Sequence, residues 1–248
     1  MMQLPRVRGL IRRRILVNYR VDPEVASLLL PRPFVPKLVN GFAMAGICLI
    51  RLERLRPAFS PLSLGLSSEN AAHRVAVRWT DSDGEAHEGV YIPRRDSNSR
   101  FNHLAGGRLF PGEHHRAEFR VRRTDHGIGI DVWSLDGHVA VVFRGSVAPE
   151  LNADSIFASL DEASAFFAGG ATGYSETAKR DHYDGLRLAT KNWHVEPLAA
   201  EEAHSSFFCD PDRFPAGSVA FDCALLMSNL AHEWQRAPAL SRNGYPSA

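Results

Sequence analysis

Hydrophobic and polar residues alternate at the strand period through much of the chain. Over residues 73–80, His73, Val75, Val77 and Trp79 share one parity while Arg74 and Arg78 take the other. Over residues 115–123, His115, Ala117, Phe119 and Val121 oppose Arg116, Glu118, Arg120 and Arg122. That is the signature of half-buried strands. Ser82-Asp83-Gly84 turns the first of these into 87–92, where Val90 and Ile92 are apolar. Asp125-His126-Gly127 leads into 128–134, and Asp136-Gly137 into 138–148, so three strands form a meander. Residues 15–21, 186–195 and 218 onward read as further strands, the last with an end, MSNLAHEW, that fits strand or helix. The run 42–52, FAMAGICLIRL, is apolar on both parities, as in a central strand covered on both sides, with a helix as the competing reading.

Short helices punctuate these strands. Asp22 as N-cap, Pro23 at the first position and Pro31 as the stop delimit one, and 159–167, ending at Gly169-Gly170, is another. The unit 88–119 is the densest in reactive side chains: Pro93 ends a strand, Arg94-Arg95 form a basic turn, and Asp96, Ser97 or Asn98 caps a helix that ends at Gly106-Gly107. With about nine strands, DG-type turns and no linker or repeat, the expected fold is mainly β with a few short helices, one antiparallel barrel or closed sheet. The chain is read as a single domain over 1–248, with its core at about 12–234.

Composition narrows the function classes. A hydrophobic content of 44% and a charged content of 23% over 248 residues are those of a soluble globular protein. Net charge is +1, which predicts no bias toward nucleic acid or an anionic membrane. No apolar run reaches membrane-span length, and the opening MMQLPRVRGLIRRRIL lacks the apolar stretch of a secretion signal, so the expected location is cytoplasmic. Cys48, Cys209 and Cys223 lie far apart in apolar runs and read as buried free thiols of a reducing compartment. Of the 29 basic residues only Lys37, Lys179 and Lys191 are lysines, leaving 26 arginines. Nucleophile-elbow and phosphate-loop motifs are absent, since GYSET at 173–177 lacks the second glycine, and no cofactor is expected. His114 and His115 point to opposite faces of a strand and His103 has no spaced partner, so no metal site is expected.

The run RRRILVNYRVDPEVASLLLPRPFVP resembles the amino-terminal signature of the acetoacetate decarboxylase-like superfamily, and the order of elements over about 12–234 is similar to an uncharacterised branch of it. The resemblance implies a β-barrel around a central small-molecule cavity, often in homo-oligomers. It also implies an arginine near the first strand, where Arg12 falls, and a glutamate ahead of the long hairpin, where Glu69 falls. The family's imine-forming lysine has no match: Pro93-Arg94-Arg95 stands where Pro-Lys-Lys is expected, and a guanidinium cannot form the imine.

Each candidate has a plain structural reading beside its functional one. His73 and His115, on apolar parities, are acid/base groups or buried imidazoles bonded to backbone. Glu69 is a base whose pKa burial would raise, or a loop residue capping a strand. Arg12 and Arg94 hold a substrate carboxylate, or belong to a solvated edge and a polar turn. Tyr91 donates into the cavity or keeps a wet end, and Lys191, beside Trp193, is a desolvated nucleophile or a snorkelling strand residue. The expected function is therefore a small-molecule-binding barrel. If catalytic, it would use Glu69, His73 or His115 for proton transfer and Arg12, Tyr91 or Arg94 for binding. Its chemistry would be of lyase, dehydratase or cyclase type on a keto-acid-like compound, without a Schiff base. The alternative is a non-catalytic ligand-binding or carrier barrel.

Overall fold

A strand that is apolar on both parities needs cover on both faces, and the fold supplies it by closing one sheet twice. The computed structural model describes residues 6–59, 65–81, 83–106, 110–125 and 127–242. Its elements run β1 (Val7–Val21), α1 (Pro23–Leu28), β2 (Val35–Pro36), β3 (Leu38–Val39), β4 (Phe42–Pro57), β5 (Leu66–Thr80), β6 (Ala86–Ser97) and α2 (Arg100–Ala105). They continue with β7 (His114–Thr124), β8 (Gly127–Ser134), β9 (Ala140–Val147), α3 (Leu160–Gly169), β10 (Thr172–Glu176), β11 (His182–Thr190), β12 (Glu196–Ser205) and β13 (Val219–Ser241). Among the described residues these form one 13-stranded sheet.

The sheet forks at two strands. One edge of β6 pairs with β5, while its other edge pairs first with β10, at Val90 and Tyr91, and then with β7, from Arg95 to Ser97. Likewise one edge of β13 pairs with β1, and its other edge pairs with β12 near Leu225 and with β11 beyond His232. The wall β13-β1-β4-β5-β6 therefore belongs to two rings. A larger ring closes through β7, β8, β9 and β12, and a smaller one through β10 and β11. Pairings of β6 with β7 and β10 are parallel, and the other named pairings are antiparallel, so the sheet is mixed. The parallel step from β6 to β7 needs a crossover, which α2 provides.

Side chains of the shared wall divide by parity between the two interiors. Ile15, Val17 and Tyr19 of β1, with Ala45, Ile47 and Leu49 of β4, join Phe143, Phe207, Phe208 and Phe214 in the core of the larger ring. Leu16, Met44, Cys48 and Ile50, with Leu225 and Met227 of β13, face the smaller ring, where Phe157, Ala163 and Phe167 from the α3 region cover them. The two-sided reading of 42–52 as a central strand is what the structure has. Asp22 caps α1 by accepting from the backbone N–H groups of Glu24 and Val25 at 2.8 and 3.4 Å.

Several local expectations are corrected. Pro93 does not end its strand, because β6 continues to Ser97 through an irregularity in which Ile92 and Pro93 together oppose Arg74. A residue without an N–H is tolerated in a strand at such a bulge. The cap of α2 is consequently Ser99, which accepts from Asn102 N–H at 3.2 Å. Residues 172–176 and 196–205, not assigned from the sequence, are the strands β10 and β12, paired with β11 and β9. The strand expected over 186–195 stops at Thr190, leaving Lys191 exposed beyond its end. MSNLAHEW continues as strand within β13. Cys48 and Cys223 are buried, but Cys209 is exposed. Ser82, Gly107 and His126 of the expected turns lie outside the described residues.

Close contact between β1 and β4 depends on Gly46, where an added Cβ would sit 2.4 Å from the Val17 carbonyl oxygen. Gly46→Ala should therefore destabilise the shared wall by roughly 1–3 kcal/mol, the usual cost of overpacking. Urea denaturation checks this, and an unchanged midpoint would contradict the wall packing described here.

Candidate functional site

The smaller ring holds a cavity of about 130 Å³ to which all of its strands contribute. Its walls are mostly apolar, with Ile50 and Leu52 from β4, Val90 and Ile92 from β6, Leu186 and Leu188 from β11, and Trp234 from β13. Into this lining project three guanidinium groups, those of Arg14, Arg74 and Arg95, together with Asn70, Asn102, His114 and Cys48.

Each arginine is fixed by a neighbour that carries no formal charge. Arg14 donates Nε–H to the Cys48 sulfur at 3.3 Å and lies over the Trp193 ring at 5.9 Å. Arg74 donates from Nη2 to Asn18 Oδ1 at 2.6 Å and lies over Phe167 at 5.1 Å, so β1 and α3 hold it from two sides. Arg95 donates from Nε to Ser175 Oγ at 3.2 Å, and that hydroxyl donates to the Ile92 carbonyl at 3.0 Å, locking β10 to β6. None of the three forms an ion pair with a carboxylate among the described residues. Burial pulls the pKa of both Arg74 and Arg95 down to about 10. Since a guanidinium stays protonated at any ordinary pH, the pull reflects a buried positive charge whose desolvation is uncompensated. An anion in the cavity would compensate it.

The other polar groups are already bonded to one another. Asn102 of α2 donates to Asn70 Oδ1 at 3.0 Å and to Ser97 Oγ at 3.2 Å, closing one end of the ring. His114 contacts the Gly112 carbonyl through Nδ1 at 3.3 Å, and burial, then the nearby Arg95, lowers its pKa to about 3. It is therefore a neutral imidazole near pH 7. Gly112 makes this turn possible, with φ of +72° and an added Cβ that would lie 2.6 Å from that of Ser175.

The residues singled out from the sequence lie mostly on the far side of the wall. Glu69 and His73 share the β5 parity of the larger ring. Glu69 accepts from Arg13 Nη2 at 2.5 Å, and burial raises its pKa against the opposing pull of Arg13 and Arg51. His73 is fully buried, contacts Ser205 Oγ through Nε2 at 3.1 Å and packs on Phe207 with 4.6 Å between ring centres. Burial, then the charges of Arg94 and Arg213, lowers its pKa to about 3. Arg94 and His115 do meet, in an open groove with Arg213 and Phe207. Arg94 is paired with two carboxylates there, donating from Nη2 to Asp96 Oδ1 at 2.7 Å and to Asp136 Oδ2 at 2.9 Å, while His115 Nδ1 stands 3.1 Å from Asp136 Oδ2. Burial opposes the Asp136 charge, but hydrogen bonds from Ser134, the His138 backbone and Arg94 hold its carboxyl well below the usual range. Tyr91 packs between Phe34 and Tyr183 and borders an adjoining groove that His115 also lines.

Arg12 is outside both interiors. The β1–β4 register slips by one residue between Ile11 and Arg13, which makes Arg12 the extra residue of a bulge. It is 42% exposed and pairs with Glu53 at 3.1 Å. Arg14, of the same RRR run, faces the cavity instead. In β6 the bulge at Pro93 acts similarly and turns Arg95 inward rather than Arg94. None of the three lysines lines the cavity: Lys37 pairs with Glu88, and Lys179 and Lys191 are exposed. His114 and His115 do occupy opposite faces of β7.

A mainly-β, mixed 13-stranded sheet closed in this way, with three short helices, is the acetoacetate decarboxylase-like fold. The chain belongs to the DUF2071 family of uncharacterized conserved proteins, whose model matches residues 10–220. No curated protein matches it. Among solved structures it is similar to the acetoacetate decarboxylase of Legionella pneumophila subsp. pneumophila str. Philadelphia 1, with a TM-score of 0.60 and 11% identity, covering 94% of this chain and 87% of that one. An acetoacetate decarboxylase-like enzyme from Sphingomonas wittichii RW1 gives a TM-score of 0.57 at 10% identity over 96% of this chain and 92% of that one. The enduracididine biosynthesis enzyme MppR gives 0.63 at 11% identity over 98% and 90%. At such identities the likeness defines the fold.

The buried histidines set an acid limit on the structure. His73, His114 and His232 have pKa values lowered to about 3, 3 and 4, chiefly by burial, against an ordinary value of about 6.5. Below pH ~6.5 the unfolded chain takes up protons that the fold refuses, so their contribution is fully present above that pH and is lost as pH falls toward their folded values. Urea denaturation midpoints should accordingly drop between about pH 6.5 and 5, a window above ordinary carboxylate titration. Midpoints that stay flat or rise on acidification there would contradict burial of these rings as neutral groups.

Proposed function

We propose that the small-ring cavity binds a small carboxylate-bearing compound of the oxo-acid kind, its anion held by Arg14, Arg74 and Arg95 and its remainder by the apolar wall. The observation that carries this reading is the convergence of three guanidinium groups on one cavity, Arg74 buried and Arg14 and Arg95 half-buried, with no carboxylate paired to them among the described residues. Size supports it too, since a cavity of roughly 150 Å³ accommodates a benzene-sized guest, and this one measures about 130 Å³. Within the shared fold, MppR has been solved with pyruvate and with the condensation product of pyruvate and imidazole 4-carboxaldehyde, which supports an oxo acid as the ligand class. The site works without an imine, because no lysine reaches the cavity lining.

A second reading places acid/base chemistry in the groove of the larger ring. The His115–Asp136 contact favours it, as an imidazole oriented by a carboxylate is a usual arrangement for proton transfer. In that reading His115 moves the proton, Tyr91 and Arg94 border the ligand, and Glu69 and His73 support the interior behind them. Pairing of Arg94 with two carboxylates counts against it, and binding in the arginine-lined cavity is the reading preferred here.

Titration with pyruvate and longer 2-oxo acids, followed by calorimetry or ligand-observed NMR, tests the preferred site. Loss of one charge-assisted hydrogen bond is worth about 1.5–3 kcal/mol, so Arg95→Gln should weaken binding by tenfold or more. Arg12→Gln should leave it unchanged. Failure of every oxo acid to bind, or equal effects of the two substitutions, would overturn the assignment. Borohydride added with pyruvate should leave the protein mass unaltered, whereas a reduced adduct on any lysine would contradict the imine-free site.

A further inference from the structure

Resting on the cavity assignment above, we infer that Cys48 is the nucleophile of this site, adding its thiol reversibly to the carbonyl carbon of the bound oxo acid. Three observations meet at this residue. Cys48 lies in the middle of β4, on the parity that faces the small ring, and its side chain is part of the cavity lining. Its sulfur accepts Nε–H of Arg14 at 3.3 Å, so thiol and anion-binding group are adjacent. Independently of the cysteine, Arg74 in the same lining is only 5% exposed and its Nε has no hydrogen-bond partner, an orphaned donor that awaits an acceptor from a ligand.

The other two thiols lack this setting. Cys223, on β13, is buried and accepts from Asn18 Nδ2 at 3.5 Å, and Cys209 is exposed beside His204. Neither lines the arginine cavity.

The step is an addition that balances without any co-reactant. A carbon–sulfur bond forms as the carbonyl π bond breaks, its electron pair moves to the oxygen, and the thiol proton ends on that oxygen to give a hemithioketal. Nothing is oxidised or reduced, and reversal returns the free thiol and the oxo acid. Arginines that hold the carboxylate one carbon away hold the carbonyl beside the sulfur, and such positioning substitutes for intrinsic reactivity. A cysteine thus takes the covalent role for which no cavity lysine is present.

Paired alkylating agents that differ only in charge test the placement, with Cys209 as internal control. Iodoacetate carries the carboxylate and iodoacetamide does not, so peptide mass spectrometry of the full-length protein should show the iodoacetate-to-iodoacetamide rate ratio at least tenfold higher at Cys48 than at Cys209. Pyruvate should slow modification at Cys48 alone, and Arg95→Gln should bring the two ratios together. Equal ratios at the two cysteines, or a Cys48 inert to both reagents, would overturn the inference. The adduct itself is read by NMR with pyruvate labelled with carbon-13 at the carbonyl. A tetrahedral carbon signal broadened by protein should appear and vanish in Cys48→Ser, while Cys48→Ser still binds pyruvate through its arginines. Pyruvate binding without that signal sinks the nucleophile alone, and absence of pyruvate binding sinks the cavity assignment with it.

Discussion

Burial of the β13-β1-β4-β5-β6 wall on both faces is the constraint from which the rest of the structure follows. In an ordinary barrel one parity of each strand faces water and can carry charge at little cost. Here that outer parity is the inner lining of a second ring, so any polar residue on it is enclosed. Arg14, Arg74 and Arg95 are enclosed in this way, and so is Cys48. Solvent screens the charge of buried Arg74 far less than it does a surface arginine's. The cavity lining is thus a consequence of topology acting on residues that would lie in solvent on a one-sided sheet.

The two interiors treat charge differently. On the larger-ring side Arg13 meets Glu69, and Arg94 meets Asp96 and Asp136, so each buried cation has its own carboxylate. Those pairs complete the structure by themselves. The smaller ring has cations held by an amide, a hydroxyl and a thiol, none of which cancels charge. Such asymmetry within one sheet is what supports the smaller ring as the anion site proposed above. It also explains why the most densely functional stretch of sequence, residues 88–119, contributes to both sides: Arg95 and His114 face the cavity, while Arg94 and His115 face the groove.

Much of this was legible from residue pattern. The mainly-β class, the meander of β7, β8 and β9, the Asp22 cap and the two-sided character of β4 all follow from local rules, because strand period and capping chemistry act over a few residues. Of the arginines expected at a pocket, Arg12 is the extra residue of one bulge and Arg94 follows another, so Arg14 and Arg95 are the ones that line the small-ring cavity. A bulge depends on the register with a partner strand far away in sequence, and no local signal announces it. Ala72 and Ala76, small apolar residues on the parity of Arg74, were a usable hint that this face of β5 is covered too.

By itself, then, the sequence determined the mainly-β class and most of its strands, that both faces of β4 are apolar, and that lysine chemistry is scarce. Tertiary structure alone decided that the sheet forks at β6 and β13 and closes twice, and through two bulges it decided which arginines turn inward. The physical reason is range. Side-chain alternation and capping are written in neighbouring residues, whereas register, closure and the absence of a counter-charge arise only when strands distant in sequence are brought edge to edge.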